Sequence, residues 1–219
     1  MLKIGVIIAG CGAQDGTEIH EAVITLLALD KAGVKVIIMA PDMDQFHVIN
    51  HFNHETEDQS RNTLVEASRI ARGEIIPVSA IGGEEIDALI FPGGTGMAKN
   101  IFDYAMVGSD CNVIPDVQKL TIELLESGKP IGAICIAPVM IAKILQSIGK
   151  NGILTGGYDK KITKDIEIMG IDTKQVGAKE IVVDELNKIV STPAYVETNS
   201  IAEVAIGVEK LVKKIIEMI

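Results

Sequence analysis

Short apolar runs that stop at glycine or proline alternate along this chain with stretches whose apolar residues recur at helical spacing, and that rhythm leaves few folds open. Residues 3–9 read as a strand of nearly uninterrupted apolar character, as expected of a central parallel strand covered on both faces. The loop Gly10 to Gly16 leads to Thr17, the expected N-cap of a helix. Its apolar positions Ile19, Ala22, Val23, Leu26, Leu27 and Leu29 fit helical spacing, and Ala32-Gly33 closes it. A second strand, Val34 to Ala40, ends at Pro41, and right-handed crossover makes the pair parallel.

The same rhythm predicts strands over 75–78, 86–91 and 130–134, and helices over 61–72, 117–127, 159–169 and 198–217. Strands over 181–184 and 188–192 flank a hairpin-like turn. Two segments fall outside the pattern. Residues 41–60 read as a short hairpin or irregular excursion carrying His47, His51 and His54, and 97–115 as a long insertion. No repeat, linker or composition shift marks a boundary, so residues 1–219 are expected to form one α/β domain. With no Trp in the chain, its core has to be aliphatic.

Composition excludes some functions. A formal charge of −10 disfavours nucleic-acid backbones, which need a basic surface. No run of about twenty apolar residues offers a membrane span. Cys11, Cys111 and Cys135 are isolated from one another, so reduced thiols are expected rather than a disulfide framework or a zinc site. The N-terminal apolar run is shorter than a signal-peptide core and is soon followed by Asp15 and Glu18, which reads as the first strand of a cytoplasmic protein. Gly10, Gly12 and Gly16 do not have the spacing of a dinucleotide fingerprint.

The chemistry-bearing stretch is Gly128 to Leu145. An apolar run, Pro130 to Ile134, ends at Cys135, and Pro138 fits the first turn of a following helix. A strand, a sharp turn and a helix would expose the Cys135 side chain beside free backbone N–H groups, where a helix N-terminus favours thiolate. The local pattern equally suits a small apolar core residue. A second break, Pro92-Gly93-Gly94, ends the strand over 86–91 and lets backbone N–H groups approach a ligand.

These elements in order resemble the class I glutamine amidotransferase-like superfamily, in its PfpI-type and Parkinson-disease-protein branch, and more narrowly the enhancing lycopene biosynthesis protein (ElbB) subgroup. The residues that carry the resemblance are Gly10-Cys-Gly12 through Asp15-Gly16, Glu18 to Val23, Pro41-Asp42 and Val48 to His51. It continues through Ile70 to Ile75, Pro92-Gly-Gly94, Ala98-Lys-Asn100, Cys135-Ile-Ala-Pro138, Ile181 to Glu185 and Thr192-Pro-Ala-Tyr195. The resemblance implies a flavodoxin-like three-layer sandwich, mainly parallel sheet with helices on both faces.

It also implies that Cys135 is the nucleophile on a strained elbow and that Glu21 is the carboxylate beside it, with Glu18 as competitor. Oxyanion donors are expected at Gly94, or Gly93, and at Ile136. The chain departs from the family pattern where Ile136 follows the cysteine and no histidine lies beyond His54. A Cys-His triad from the C-terminal half is thereby excluded, leaving a Cys–Glu pair with His20 as a helper. Thr155, Thr192 and Tyr195 are further cleft candidates, and Cys11 is placed near the same edge.

The activity the resemblance implies is that of a weak, glutathione-independent glyoxalase. It would convert glyoxal or methylglyoxal to a 2-hydroxy acid without metal or cofactor, in a homodimer. The alternative is a redox-sensing or chaperone-like protein with an oxidisable Cys135.

Overall fold

A computed structural model describes residues 1–219. The strands are β1 (Lys3–Ile7), β2 (Lys35–Ala40), β3 (Ile76–Pro77), β4 (Ala88–Phe91), β5 (Ile131–Ile134), β6 (Ile153–Leu154), β7 (Asp172–Thr173), β8 (Val182–Asp184) and β9 (Ile189–Thr192). Seven of them form one sheet in the order β3-β2-β1-β4-β5-β9-β8. Every pairing in it is parallel except the β8–β9 hairpin. The remaining two, β6 and β7, form a separate parallel pair. The eight helices are α1 (Ile19–Lys31), α2 (Thr63–Ala71), α3 (Met97–Asn100), α4 (Tyr104–Val107), α5 (Pro115–Glu126), α6 (Ala137–Ser147), α7 (Lys160–Ile168) and α8 (Ile201–Met218).

Strand alternation sorts the core into two layers. Ile4, Val6, Ala88, Ile90 and Ile134 face α1, α2 and α8, where they meet Ala22, Leu29, Ala67, Val204 and Leu211. Ile7, Leu89, Phe91, Ile131 and Ala133 face the opposite way, onto residues of α3 to α7. Continuous apolar strands are thus explained by burial on both faces. The result is the flavodoxin-like three-layer α/β sandwich expected from the sequence.

Several local expectations need correction. Glu18 rather than Thr17 caps α1, its side chain accepting from the Glu21 N–H. Thr17 is instead fully buried, and its Oγ1 accepts from the Ala9 N–H at 2.6 Å, tying the first loop to β1. The strand expected over 75–78 shrinks to β3, because residues 78–80 turn into a short 3₁₀ segment. Helix α5 starts two residues earlier than expected, with Pro115 in its first turn. The sequence pattern did not foresee β7. Within 41–60 an antiparallel bridge joins Ile49 to Thr56, and in the 97–115 insertion another joins Phe102 to Val113.

One buried side chain holds the irregular segments together. Asn100, 2% exposed at the end of α3, donates from Nδ2 to the carbonyls of Ala9 (3.0 Å) and Asp15 (2.9 Å). Its Oδ1 accepts from the Phe46 N–H at 2.9 Å. The first βα loop, the 41–60 excursion and the insertion thereby meet on one amide. Truncation in Asn100→Ala orphans three backbone groups, which at 1–3 kcal/mol each implies a loss of about 3 kcal/mol or more. The melting temperature is expected to fall by roughly 10 °C; a change under about 2 °C in a thermal melt would refute this anchoring role.

Candidate active site

The β5–α6 junction builds the centre of the site. Cys135 has φ of 62°, in the left-handed region that a non-glycine residue occupies only when its surroundings insist. Three features impose it. The Cys135 N–H donates to the Thr192 carbonyl at 2.9 Å, continuing the β5–β9 ladder. Ile136 already has helical φ and ψ, and Pro138 fixes the first turn of α6. The side chain is consequently lifted off the sheet at its carboxyl edge.

Opposite it, β4 breaks at Pro92-Gly93-Gly94. A Cβ on Gly93 would sit 2.5 Å from Cys135 Cβ and 2.9 Å from Glu21 Oε2, so only glycine allows this approach. Gly94 has φ of 115°, which turns the chain away over the first loop. The N–H groups of Gly94 and Ile136, supplied by two independent elements, favour negative charge on the Cys135 sulfur. Gly93 behaves differently from its neighbour. Its N–H donates to Glu21 Oε2 at 2.9 Å and is therefore occupied within the protein.

Glu21 enters from α1 and is completely buried. Besides Gly93, the Tyr195 N–H approaches its Oε1 at 3.4 Å, and the Cys135 side chain lies beside it across Gly93. Burial pushes the carboxyl up to about 8, helped by the nearby Glu18 charge and opposed by the Gly93 N–H. The same burial, followed by the Glu21 charge, pushes the thiol well above its ordinary value. These effects outweigh the two backbone N–H groups and the helix N-terminus, so the expected bias toward thiolate is corrected: both groups hold their protons at rest. Glu18 stays at the cleft wall as the α1 cap, its Oε2 2.7 Å from the Glu21 N. Of the two carboxyls, Glu21 is the one that meets the thiol.

A cleft of about 530 Å³ opens above Cys135. Glu18, Gly94, Tyr104, Ile136, Lys161 and Tyr195 are among its walls. Lys161 is its one cation, held to Asp165 at 2.7 Å and to the Tyr104 hydroxyl at 3.1 Å. Position alone gives Tyr104 and Lys161 no signal in the sequence, because the fold brings them in from the insertion and from α7. Tyr195 lines the cleft as expected, and His20 reaches it indirectly, its Nδ1 lying 2.7 Å from the Tyr195 hydroxyl.

Thr155 and Thr192 do not line the cleft. Both are fully buried, Thr155 accepting from the Gly157 N–H and Thr192 donating to the Glu180 carbonyl. Cys11 is half-buried and outside the lining, its thiol raised by burial. His51 and His54 are used by the first loop. Nε2 of His51 accepts from the Gln14 N–H at 3.2 Å, and the Gln14 side chain meets His54 at 2.8 Å. No cluster of three or more His, Cys, Asp or Glu side chains is arranged to hold a metal ion.

Known proteins match this chain along most of its length, although no family model does. A human protein named glutamine amidotransferase-like class 1 domain-containing protein 3, mitochondrial, is 38% identical, with 99% of this chain and 83% of that protein covered. The ES1 protein homolog, mitochondrial, of Rattus norvegicus is 37% identical over 99% of this chain and 84% of its own. The ES1 protein, mitochondrial, of Danio rerio is 31% identical over 88% of this chain and 76% of its own. These three names overturn the cytoplasmic expectation: the short apolar run at the N-terminus is β1, and a strand carries no information about compartment.

A crystal structure from Ehrlichia chaffeensis, described as an isoprenoid biosynthesis protein with amidotransferase-like domain, superposes with a TM-score of 0.91. It is 34% identical, with both chains fully covered. The DJ-1 superfamily protein Atu0886 from Agrobacterium tumefaciens, 17% identical with a TM-score of 0.53 over 96% of this chain and 89% of its own, shares the fold. At 31–38% identity to relatives from three vertebrates, the chain belongs to the ES1-like family of class 1 glutamine amidotransferase-like proteins.

Proposed function

We propose that the protein is a glutathione-independent glyoxalase of the ElbB type, converting a 2-oxoaldehyde and water to a 2-hydroxy acid. One observation carries the reading: a nucleophile-elbow thiol set beside a buried, proton-holding carboxyl, with the backbone N–H groups of Gly94 and Ile136 favouring charge on the sulfur.

The chemistry follows from those groups. With Glu21 ionised, its carboxylate takes the thiol proton as sulfur bonds to the aldehyde carbon C1, and the N–H groups of Gly94 and Ile136 steady the oxyanion that forms. Glu21 returns that proton to the oxyanion, leaving a hemithioacetal. It then removes hydrogen from C1 as a proton to give an enediolate, and delivers it to C2 as the C1 hydroxyl loses its proton and the C2 oxygen gains one. C1 is oxidised and C2 reduced, so no outside oxidant enters. Water cleaves the resulting thioester, releasing the hydroxy acid and restoring the thiol. A carboxyl raised to about 8 suits this exchange, because it gives and takes protons near neutrality.

Oxidisable sensor thiols are exposed and acidic, whereas burial raises this one. That favours turnover over the redox-sensing alternative.

Methylglyoxal supplied without glutathione is expected to yield lactate at a rate that Cys135→Ala reduces to background; a fully active Cys135→Ala protein sinks the proposal. In Glu21→Gln, kcat/KM is expected to fall by about 10²–10⁴-fold. In the wild type it is expected to rise with pH through an apparent pKa of about 8, as Glu21 ionises. A flat wild-type profile across that range would remove Glu21 from the proton transfers.

The same carboxyl sets a stability trend. Its folded pKa lies above its unfolded one, so its proton is bound more tightly in the folded state. This contribution is complete below the unfolded carboxylate range and is lost as pH rises through about 8. Denaturant unfolding of wild type against Glu21→Gln should therefore show the wild type losing ground steadily from about pH 5 to about pH 8. Parallel curves for the two proteins would contradict the raised carboxyl.

A further inference from the structure

Ile136, not a histidine, directly follows Cys135 in this chain. The fold brings an imidazole to the cleft from the opposite side. Tyr195 lines the cleft with Cys135, and its hydroxyl lies 2.7 Å from His20 Nδ1, the two rings tilted with centroids 5.9 Å apart. His20 is exposed on the first turn of α1, while Tyr195 is half-buried. One end of this pair touches substrate space and the other touches water.

The backbone around Tyr195 is built for that position. Thr192-Pro193-Ala194-Tyr195 leaves β9 through a 3₁₀ turn in which Ala194, fully buried, has φ of 45°. A second non-glycine residue of the site is thus held in the left-handed region. The turn sets the Tyr195 N–H toward Glu21 Oε1 and its side chain into the cleft wall. Glu18 Oε1, 3.9 Å from His20 Nδ1, and the nearby Glu21 are the acidic groups facing the pair. Burial, followed by the charges of Glu18 and Glu21, holds the Tyr195 phenol un-ionised.

We infer that Tyr195 is the second acid–base group of the reaction and that His20 is the relay connecting it to solvent. This rests on the glyoxalase reading. When Glu21 removes the C1 hydrogen of the hemithioacetal, negative charge moves to the C2 oxygen. The Tyr195 hydroxyl gives that oxygen its proton, the O–H bond of tyrosine breaking as the O–H bond of the enediol forms. His20 passes its Nδ1 proton to the tyrosinate as its other ring nitrogen takes one from water. As Glu21 returns its proton to C2, the C1 hydroxyl releases its own to solvent, so the proton count closes. Tyr195 is the catalytic residue in this scheme and His20 a positioning and relay residue.

The test uses the full-length protein, methylglyoxal and an assay for lactate. Tyr195→Phe keeps the ring and removes only the hydroxyl; it is expected to lower kcat by about 10²-fold with KM within about threefold of wild type. His20→Ala is expected to lower kcat by about tenfold, with recovery on addition of imidazole, which a merely structural role would not give. Imidazole is expected to do nothing for Tyr195→Phe, and the double variant to be no slower than Tyr195→Phe alone, because the two residues act in series. Wild-type kcat in Tyr195→Phe, or a His20→Ala defect indifferent to imidazole, overturns the relay while leaving the Cys135–Glu21 chemistry intact. Absence of lactate with the wild type itself overturns the glyoxalase reading and the relay with it.

Discussion

A single buried carboxyl organises the site. Glu21 belongs to α1, yet its two oxygens are engaged by backbone N–H groups from the ends of β4 and β9, and the thiol at the end of β5 completes its surroundings. Four elements distant in sequence are therefore registered against one functional group at the carboxyl edge of the sheet. An acid buried this deeply would be strongly destabilising if left ionised and unpaired. Keeping its proton at neutral pH is the inexpensive solution, and it also equips the group for proton transfer.

Much of this was legible in the sequence. Apolar runs identified the main strands because burial on both faces removes any polar alternation from β1, β4 and β5. Cys135 was legible because a strand end, a nucleophile and Pro138 stand together in the chain. Glu21 owed its selection over Glu18 to family resemblance, since spacing alone does not say which glutamate is swallowed by the fold.

What escaped had long-range causes. Thr17 looks like a helix cap and is drawn off to β1, so Glu18 takes over the cap. The two residues of β7 are strand only through their pairing with β6. Lys161 and Tyr104 meet at the cleft through a separation of 57 residues, which no local pattern encodes. The tilt of the thiol toward thiolate, reasonable from the α6 N-terminus, reversed once burial and the Glu21 charge were included. Local dipoles are modest against desolvation of a charge.

The sheet margins also constrain how copies of the chain meet. One edge is β3, only two residues long, with Pro77 removing a ladder donor. The other is the three-residue β8, laid antiparallel against β9, with the Asp184 side chain turned onto the Ile153 N–H. Neither margin offers a long row of free backbone groups for strand addition. Sheet-to-sheet polymerisation is thereby discouraged by geometry at both ends.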